Sequence, residues 1–328
     1  MPTPPAHAPT LVARRLDQAL LAVAAGRRRP ILELVRDDPA ALPVMAARMR
    51  APQEEVSLDL AAFHATEFET LLEAETARYD EPLLAAAAIG AGDRVLDVGC
   101  GSGATSRTAA RLAADGAVVG VDVAPALVRR ADERARAERL ANATFVRGDA
   151  ATHPFAVASF DVVLSRFGTM YFGHPGPAFA HLRDALRPGG RLALTAWRCL
   201  ADNEWMGAVA EALGAGPRLR ARPSGVPGPF GLAEPDHVRA VLAEAGFADV
   251  ALARVDEPVC LGPDPEAAYA MLSTQKLTRD LLAGADAAAR RRSLGALRAL
   301  LEARATPTGV LLGGSAWVIT AVSIPGRP

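Results

Sequence analysis

Apolar and polar positions follow two different periods along the middle of the chain, and the change of period predicts its elements. Short runs of aliphatic and β-branched residues, such as VLDV at 95–98, predict buried strands. Longer segments between them, such as 125–140, place apolar residues three or four positions apart and predict helices. Such alternation indicates a parallel sheet covered on both faces. Strands are predicted over 93–98, 118–121, 145–147, 162–165 and 191–196, and helices over 105–114, 125–140 and 177–186.

The first 80 residues have helical periodicity without strand-like runs, and their helix order resembles the helix-turn-helix core of small winged-helix repressors. The helix that would enter the major groove carries Glu54, Glu55 and Asp59, which phosphates repel. No wing hairpin follows. We therefore expect a helical domain over 1–80 that packs or dimerises, with DNA binding as the less favoured alternative.

The pattern changes again after the fifth predicted strand. Residues 214–231 are rich in Pro, Gly and Arg and predict a loop, whereas residues 265–305 are almost wholly helical in pattern. The helical stretch separates a strand predicted at 250–255 from a last strand at 316–323. Insertions beside strand ends often shape a substrate pocket. The predicted substrate-side insertions lie near 200–232 and 262–310 of a domain that spans 81–328.

A glycine-rich turn follows the first predicted strand. Gly99, Gly101 and Gly103 crowd this turn, and glycine lets the backbone approach a ligand at the N-terminus of the next helix. The spacing alone also satisfies a dinucleotide-binding fingerprint. Asp97 stands at the strand tip just before the glycines. A carboxylate at that position suits a ligand with a positive group and suits a pyrophosphate poorly.

Acids also follow the next two predicted strands. Asp122 ends the second strand, 23 residues after Gly99, at a distance suited to accepting hydrogen bonds from a ribose diol. Asp149 follows the third strand. Because the carboxyl ends of parallel strands meet at one edge of a sheet, we expect Asp97, Asp122 and Asp149 to share that edge.

This set of residues resembles the class I S-adenosylmethionine (SAM)-dependent methyltransferases. FDVVLSRF at 160–167 and LRPGGRLALTAW at 186–197 are similar to the fourth and fifth strands of that family. The resemblance covers roughly residue 80 to the C-terminus. It implies an α/β fold with a Rossmann-like, doubly wound, mostly parallel sheet of seven strands. An N-terminal helical domain and a helical insertion before the last strand complete the expected architecture.

The resemblance also assigns roles at the cofactor site. It implies that Asp97 faces the methionine moiety of SAM, Asp122 the ribose hydroxyls and Asp149 the adenine amino group. Tyr79, an aromatic before the first strand, is expected to close over the cofactor, with simple helix packing as an equal alternative. The cofactor-binding residues implied in this way are Asp97, Gly99, Gly101, Gly103, Asp122, Val123, Asp149, Ala150, Ser165, Arg166 and Tyr79.

Candidates for catalysis follow the fourth predicted strand. A methyl group on a sulfonium is already activated, so the enzyme mainly holds donor and nucleophile in line. A base is required only if the acceptor must lose a proton. We expect Tyr171 to place its ring or hydroxyl near the methyl group. His174 is the candidate general base if the acceptor is a hydroxyl, since an unperturbed histidine has a pKa near neutrality, but helix capping or exposure to water is the favoured interpretation of this residue. Residues 202–205 are expected to line the substrate side or cap a helix.

Composition narrows the classes of partner. The 328 residues include 36 basic and 37 acidic ones, and this balance does not indicate nucleic acid or an anionic membrane. No Asn/Asp-Pro-Pro-aromatic tetrapeptide follows the fourth strand, where amino-methylating enzymes of nucleic acids have one. The three cysteines lack the spacing of metal ligands, and no apolar run approaches the roughly 20 residues of a membrane helix. We expect a cytoplasmic protein without a metal, a small-molecule substrate, and a homodimer formed through the N-terminal helices.

The leading hypothesis is a SAM-dependent methyltransferase acting on oxygen or carbon of a small, largely apolar molecule, such as a specialised metabolite or a quinone-like compound. A SAM-binding protein that catalyses a cyclisation or rearrangement without methyl transfer is the first alternative. A SAM-sensing transcriptional regulator is the second. A nicotinamide dehydrogenase is the last, because it rests only on the Gly99-x-Gly101-x-x-Ala104 spacing.

Overall fold

The computed structural model describes residues 73, 75–214 and 224–324. The predicted helical domain of residues 1–80 lies outside this part of the chain, apart from Glu73 and residues 75–80. The predicted dimerisation through that domain lies outside it as well. The described residues contain a sheet with helices on both faces.

One mixed sheet organises the described residues. Its strands are β1 (Arg94–Val98), β2 (Ala117–Asp122), β3 (Ala143–Arg147), β4 (Phe160–Arg166), β5 (Leu186–Trp197), β6 (Phe247–Gly262), β7 (Ala305–Thr306) and β8 (Gly309–Ser323). The order across the sheet is β3-β2-β1-β4-β5-β8-β6, with β7 paired to β8. Strands β1 to β5 pair in parallel, and β8 runs antiparallel to both of its neighbours. The predicted Rossmann-like sheet of seven strands is confirmed, and the two-residue β7 is an addition to it.

Helices cover both faces of the sheet. They are α1 (Asp80–Ala87), α2 (Ala104–Leu112), α3 (Pro125–Ala137), α4 (Pro175–Ala185), α5 (Glu204–Ala212), α6 (Pro235–Glu244), α7 (Pro265–Thr274), α8 (Lys276–Leu281) and α9 (Ala287–Ala303). Helices α1, α2 and α3 contribute to one apolar core, which includes Val95 of β1. Helices α4 and α6 contribute to the core on the other face, which includes Leu96. Successive strand residues point to opposite faces, so both faces of β1 are apolar and buried.

The last two long strands extend beyond their predicted bounds. Strand β6 covers 247–262 rather than 250–255, and β8 covers 309–323 rather than 316–323. The two strands pair from Phe247 with Ser323 to Gly262 with Val310. Strand β6 lies at the edge of the sheet, and most of its residues are partly or fully exposed. Its apolar pattern in the sequence is correspondingly weak.

The predicted helical insertion before the last strand is confirmed, and residues 265–305 are almost wholly helical, as predicted. The stretch contains three helices, and Asp residues cap the starts of the first and the third. The Asp264 carboxylate accepts a hydrogen bond from the Ala267 amide at 2.8 Å, and Asp286 accepts one from the Ala289 amide at 2.7 Å. Among the described helices, none has the length and apolar character that crossing a membrane requires.

Candidate functional site

The carboxyl ends of β1 and β4 meet at the point where the connections diverge to opposite faces of the sheet. Ligands of open α/β sheets bind in the crevice at such a switch point. Here the two strand ends approach backbone to backbone, since a Cβ atom on Gly168 would lie 2.7 Å from the Val98 carbonyl oxygen and 3.2 Å from the Cα of Gly99. Gly168 was not identified from the sequence as a site residue. In the sequence, the place of Gly168 directly after the fourth strand could have indicated that it belongs to the site.

Two glycines of the turn after β1 serve different purposes. Gly101 has a φ of +55°, and a Cβ atom there would meet nothing within 4 Å, so the turn leaves room for a ligand. Gly103 has a φ of +82°, and a Cβ atom there would lie 2.9 Å from Ala131 Cβ and from Phe145 Cε1. Gly101 therefore keeps the turn open, whereas Gly103 allows α2 to pack closely beside α3 and β3.

Asp122 ends β2 and Asp149 lies on the loop that leaves β3, on the same edge as Asp97. The Asp122 carboxylate accepts hydrogen bonds from the Gly101 amide at 2.9 Å and from the Ala124 amide at 2.8 Å. The Asp149 carboxylate accepts one from the Ala151 amide at 2.9 Å. Both residues are partly exposed, and each carboxylate has about four acceptor positions. Both can therefore accept further bonds from a ligand.

The other two residues expected on these loops differ in exposure. Val123 is partly buried. Ala150 is only 7% exposed and belongs to the apolar core. A cofactor contact remains a prediction for both.

Asp97 is almost completely buried, with 1% of its surface exposed. The Ser106 hydroxyl donates a hydrogen bond to its carboxylate. Burial raises the pKa of Asp97 from 3.8 to about 7, although Ser106 and Arg166 act in the opposite direction. The Asp97 side chain is therefore close to half ionised at neutral pH. A cationic ligand group bound beside it would favour the ionised form.

Arg166 is held in an ion pair at this edge. Its guanidinium lies 3.1 Å from one Asp80 carboxylate oxygen, and the Thr105 hydroxyl donates to the other at 2.9 Å. Asp80 was missed in the sequence because its partner lies 86 positions away and no local motif connects the two. The ion pair ties the start of α1 to the end of β4.

Ser165 and Phe167 shape the end of β4. Ser165 is fully buried, and its hydroxyl donates to the Val98 carbonyl at 2.6 Å, which joins β4 to β1. Phe167 has a φ of +57°, a left-handed conformation that costs a bulky residue about 1–3 kcal/mol. Its amide donates to the Thr195 hydroxyl at 3.1 Å, and its ring stacks on Trp197 with centroids 4.2 Å apart. Such strain is typical of functional sites.

Tyr79 packs in the core. The residue is fully buried, with its ring edge-on to Phe167 and Trp197 at centroid distances of 5.3 Å. Its hydroxyl donates to the Glu257 carbonyl at 2.7 Å. This packing agrees with the helix-packing alternative, and a contact of Tyr79 with the cofactor remains a prediction.

The two candidate catalytic residues follow β4. Tyr171 ends a 3₁₀ turn at Thr169–Tyr171 and exposes 40% of its surface. Loss of solvation and, to a smaller extent, the negative charge of Glu75 nevertheless raise the pKa of Tyr171 to about 12. His174 is exposed at the position before α4, and its side chain makes no capping hydrogen bond. Catalysis by either residue remains a prediction.

Glu73 and Glu75 also lie at this edge and were missed in the sequence. Glu73 accepts a hydrogen bond from the Ser102 hydroxyl and forms an ion pair with Arg134 at 2.7 Å. It therefore lies against the glycine turn. Burial raises the pKa of Glu75 from 4.5 to about 7. Periodicity did not distinguish these acids from an ordinary solvated helix face.

The segment after β5 has a structural role at its centre. Asn203 is fully buried and donates to the carbonyls of Arg198, Cys199 and Ser315, while its oxygen accepts from the amide of Ser315 and the indole of Trp205. An open cavity of about 630 Å³ lies between α5 and α9. Trp205 packs against Trp197 at the end of β5 and is not among the residues that line this cavity.

The arrangement fits SAM, the cofactor that the resemblance implies. An open turn at Gly101, a buried acid at Asp97 and partly exposed acids at Asp122 and Asp149 provide room and acceptors for a cationic nucleoside. Among the described residues, no group of three or more His, Cys, Asp or Glu side chains is arranged to hold a metal ion.

Comparison with known proteins identifies the central segment. Residues 95–190 match the family model described as a methyltransferase domain. Aklanonic acid methyltransferase DauC of Streptomyces sp. (strain C5) is 37% identical over 105 residues, which cover 32% of this chain and 48% of that protein. Nocamycin O-methyltransferase of Saccharothrix syringae is 38% identical over 102 residues, covering 31% and 36%. The matches thus span less than half the length of these relatives.

A solved structure shares the fold. The YcgJ protein of Bacillus subtilis superposes with a TM-score of 0.52 at 18% sequence identity, and the superposition covers 76% of this chain and 100% of that chain. At this level of identity the likeness shows the fold alone, and it agrees with the Rossmann-like order of the sheet.

Proposed function

We propose that this protein, whose residues 95–190 match a methyltransferase domain, transfers the methyl group of SAM to oxygen or carbon of a small, largely apolar molecule. The observation that carries the proposal is the buried Asp97 beside the open turn at Gly101, with Asp122 and Asp149 on the next two strand ends. The names of the two relatives, which refer to aklanonic acid and nocamycin, support a small-molecule acceptor.

The residues divide the work of binding. Asp97 accepts from the cationic amino group of the methionine moiety, Asp122 from the ribose hydroxyls, and Asp149 from the adenine amino group. Bound SAM supplies a methyl group that is already activated by its sulfonium. The protein's own task is to hold the acceptor in line with that methyl group and to exclude water. The packed rings of Phe167 and Trp197 provide an apolar wall beside the end of β4.

The first experiment is mass spectrometry of small molecules released from the purified protein, followed by calorimetric titration with SAM and S-adenosylhomocysteine. Asp122→Ala is expected to weaken binding of both ligands about 10- to 100-fold, because a charge-assisted hydrogen bond contributes about 1.5–3 kcal/mol. Asp236→Ala is the matched control, since Asp236 is an exposed acid on α6. If the Asp122→Ala variant and the wild type bind SAM with equal affinity, the assignment of Asp122 to the cofactor site is wrong. Turnover without release of S-adenosylhomocysteine would instead favour a rearrangement.

The assembly and location proposed from the sequence belong to the same proposal. We infer a homodimer formed through the helices predicted within residues 1–80, and light scattering of the full chain tests this. Cys100, Cys199 and Cys260 are all unpaired, which supports a reducing compartment such as the cytoplasm. The insertions near 200–232 and 262–310 are proposed to limit access of the acceptor.

A further inference from the structure

Residues 224–232, here called the cover loop, lie on the turn that follows β4. The Gly228 amide donates a hydrogen bond to the Met170 carbonyl at 3.1 Å. A Cβ atom on Gly231 would lie only 2.5 Å from the same carbonyl oxygen, so the backbone of the loop is in direct contact with the turn. The cover loop therefore closes over the turn at the end of β4.

Thr169 lies in this contact, and its hydroxyl has no partner. The residue is 1% exposed. Its Oγ1 atom is buried, and no described residue lies within hydrogen-bond distance of it. Thr169 lines a narrow cavity between the turn and the cover loop, and this cavity has no room for a water molecule. The hydroxyl therefore stays unpaired while the loop is closed, which is a costly arrangement for a buried polar group.

The contacts of the cover loop with its surroundings oppose one another. Phe230 and Leu232 are buried in the core and favour the closed position. A Cβ atom on Gly225 would lie 3.1 Å from Cε1 of His237, so the start of the loop packs against this imidazole of α6. The His237 Nε2 atom is buried and, like Thr169 Oγ1, has no hydrogen-bond partner among the described residues. Both polar atoms would gain partners if the loop moved away.

The cover loop also has hydrogen bonds of its own. The Gly225 amide donates to the Gly231 carbonyl at 2.9 Å, and the Gly231 amide donates to the Gly228 carbonyl at 3.0 Å. These bonds do not depend on the turn after β4. Directly after the loop, the Trp317 indole of β8 donates to the Ala233 carbonyl at 2.8 Å. The loop can therefore leave the turn as one unit while its end stays fixed to β8.

Thr169 lies where the two sides of the carboxyl edge meet. It directly follows Gly168, whose backbone contacts the glycine turn after β1. The stacked rings of Phe167 and Trp197 form an apolar wall at the same strand end. A threonine hydroxyl can donate one hydrogen bond and accept two, so it suits either a hydroxyl or a carbonyl oxygen. An apolar molecule on this wall would find its polar partner in Thr169.

We propose that the cover loop is a lid, and that its opening lets the Thr169 hydroxyl form a hydrogen bond to a hydroxyl or carbonyl oxygen of the methyl acceptor. The inference rests on the proposed function and adds a specificity-determining residue to it. The acceptor is accordingly an apolar molecule that carries an oxygen atom apart from the atom that is methylated. Thr169 binds and orients this molecule and takes no part in proton transfer.

The first test measures stability and needs no ligand. Thr169→Val replaces the unpaired hydroxyl with a methyl group of similar size and should raise the urea concentration at half-unfolding above that of the wild type. Thr195→Val is the contrasting variant and should lower it, because the buried Thr195 hydroxyl accepts a hydrogen bond from the Phe167 amide. If Thr169→Val lowers the midpoint or does not fold, the hydroxyl has a structural partner and the inference is overturned.

The second test measures turnover of the full chain with SAM and a panel of hydroxylated aromatic ketones as acceptor probes. With the probe that yields S-adenosylhomocysteine fastest, Thr169→Val should raise the KM for the probe about 5- to 50-fold. Both kcat and the affinity for SAM should stay within twofold of wild type, because the hydrogen bond is present before and during methyl transfer. Thr169→Ser should restore KM to within threefold. Thr144→Val, at an exposed position of β3, should match the wild type.

Probes that differ by one oxygen atom locate the contact. Removal of one particular hydroxyl or carbonyl oxygen from the probe should raise KM about 5- to 50-fold for the wild type. The same removal should change KM less than twofold for Thr169→Val, because the partner of that oxygen is already gone. Equal losses for the two proteins at every oxygen would show that Thr169 acts only through the structure and would overturn the inference.

The third test follows the lid by hydrogen–deuterium exchange of the full chain. Gly231→Ala should speed up exchange in residues 224–232 at least fivefold, whereas Gly207→Ala, whose added methyl group meets nothing within 4 Å, should not. Binding of the best probe together with S-adenosylhomocysteine should also speed up exchange there in the wild type, because the acceptor displaces the Gly228 amide from Met170. If the bound probe leaves this exchange unchanged, the lid is refuted, even where Gly231→Ala does not fold.

The outcomes separate this inference from the function on which it rests. A wild-type protein that does not bind SAM refutes the proposed function itself. A wild type that binds SAM but methylates none of the probes refutes the role of Thr169 and leaves the cofactor site intact. A Thr169→Val variant whose KM stays within twofold of wild type has the same consequence.

Discussion

The two halves of the carboxyl edge are built in different ways. Around β1 to β3, the functional side chains make hydrogen bonds to residues close by in the sequence. The Asp149 carboxylate, for example, accepts one from the amide two positions further on. Around β4 and β5, the partners lie far apart in the chain, as Asp80 does from Arg166 and Asn203 from Ser315. A local motif can therefore specify the cofactor half, whereas tertiary packing determines the acceptor half. We therefore expect the acceptor half to vary more readily than the motif.

The largest effect on stability should come from a glycine of the cofactor half. Gly103→Ala is expected to lower the free energy of unfolding by about 3 kcal/mol, because a left-handed φ costs about 1–2 kcal/mol and overpacking against Ala131 and Phe145 adds about 1–3 kcal/mol. Gly101→Ala should cost only about 1–2 kcal/mol, since its Cβ atom meets nothing. Urea unfolding of both variants without cofactor measures the difference. Equal losses would contradict the distinction between a packing glycine and a ligand-facing one.

Asp97 provides the next effect, and its sign depends on pH. Ionisation of Asp97 is disfavoured in the folded protein, whose pKa for this group is about 7 against an ordinary 3.8. The wild type therefore loses stability as the pH rises from about 4 to about 7. Asp97→Asn carries no charge and should be more stable than wild type at pH 8 by about 2 kcal/mol, below the limit of about 4 kcal/mol that three pKa units allow.

The same variant should bind SAM more weakly, so stability and affinity change in opposite directions. Thermal unfolding from pH 4 to pH 8 and calorimetry at pH 8 measure the two quantities. The pH series is its own control, because Asp97 is neutral at the acid end. A stability difference that does not vary with pH would show that Asp97 ionises normally in the folded protein.

The smallest effect belongs to the acceptor half. Tyr79→Phe keeps the ring between Phe167 and Trp197 and removes only the hydrogen bond to the Glu257 carbonyl. The expected loss of stability is about 1 kcal/mol, with the affinity for SAM unchanged. Chemical unfolding and calorimetry on one preparation give both values. A drop in SAM affinity of tenfold or more would show that Tyr79 also contacts the cofactor.

Sequence reasoning succeeded where the chemistry is local. The order of strands, the glycine turn and the acids at Asp97, Asp122 and Asp149 follow from short-range patterns, and the structure brings all three acids to one edge of the sheet. The two alternatives for Tyr79 stayed open in the sequence, because the carbonyl that its hydroxyl binds lies 178 positions away. Glu75 was missed because its surroundings are a property of the folded chain. The helical stretch that begins after Asp264 was predicted, but the second capped start at Asp286 was not identified within it.

The interior position of β8 has a consequence for the synthesis of the protein. Strands β5 and β6 are made first, and neither has its neighbour on one side until residues 309–323 are available, as the pairing of Arg191 with Val322 illustrates. Unpaired strand edges are templates for pairing with other chains, and such long-range closure is slow. The nascent chain is therefore most exposed to aggregation while α7, α8 and α9 are being translated. Slower translation through this interval would prolong that exposure, whereas a chaperone bound there would shield it.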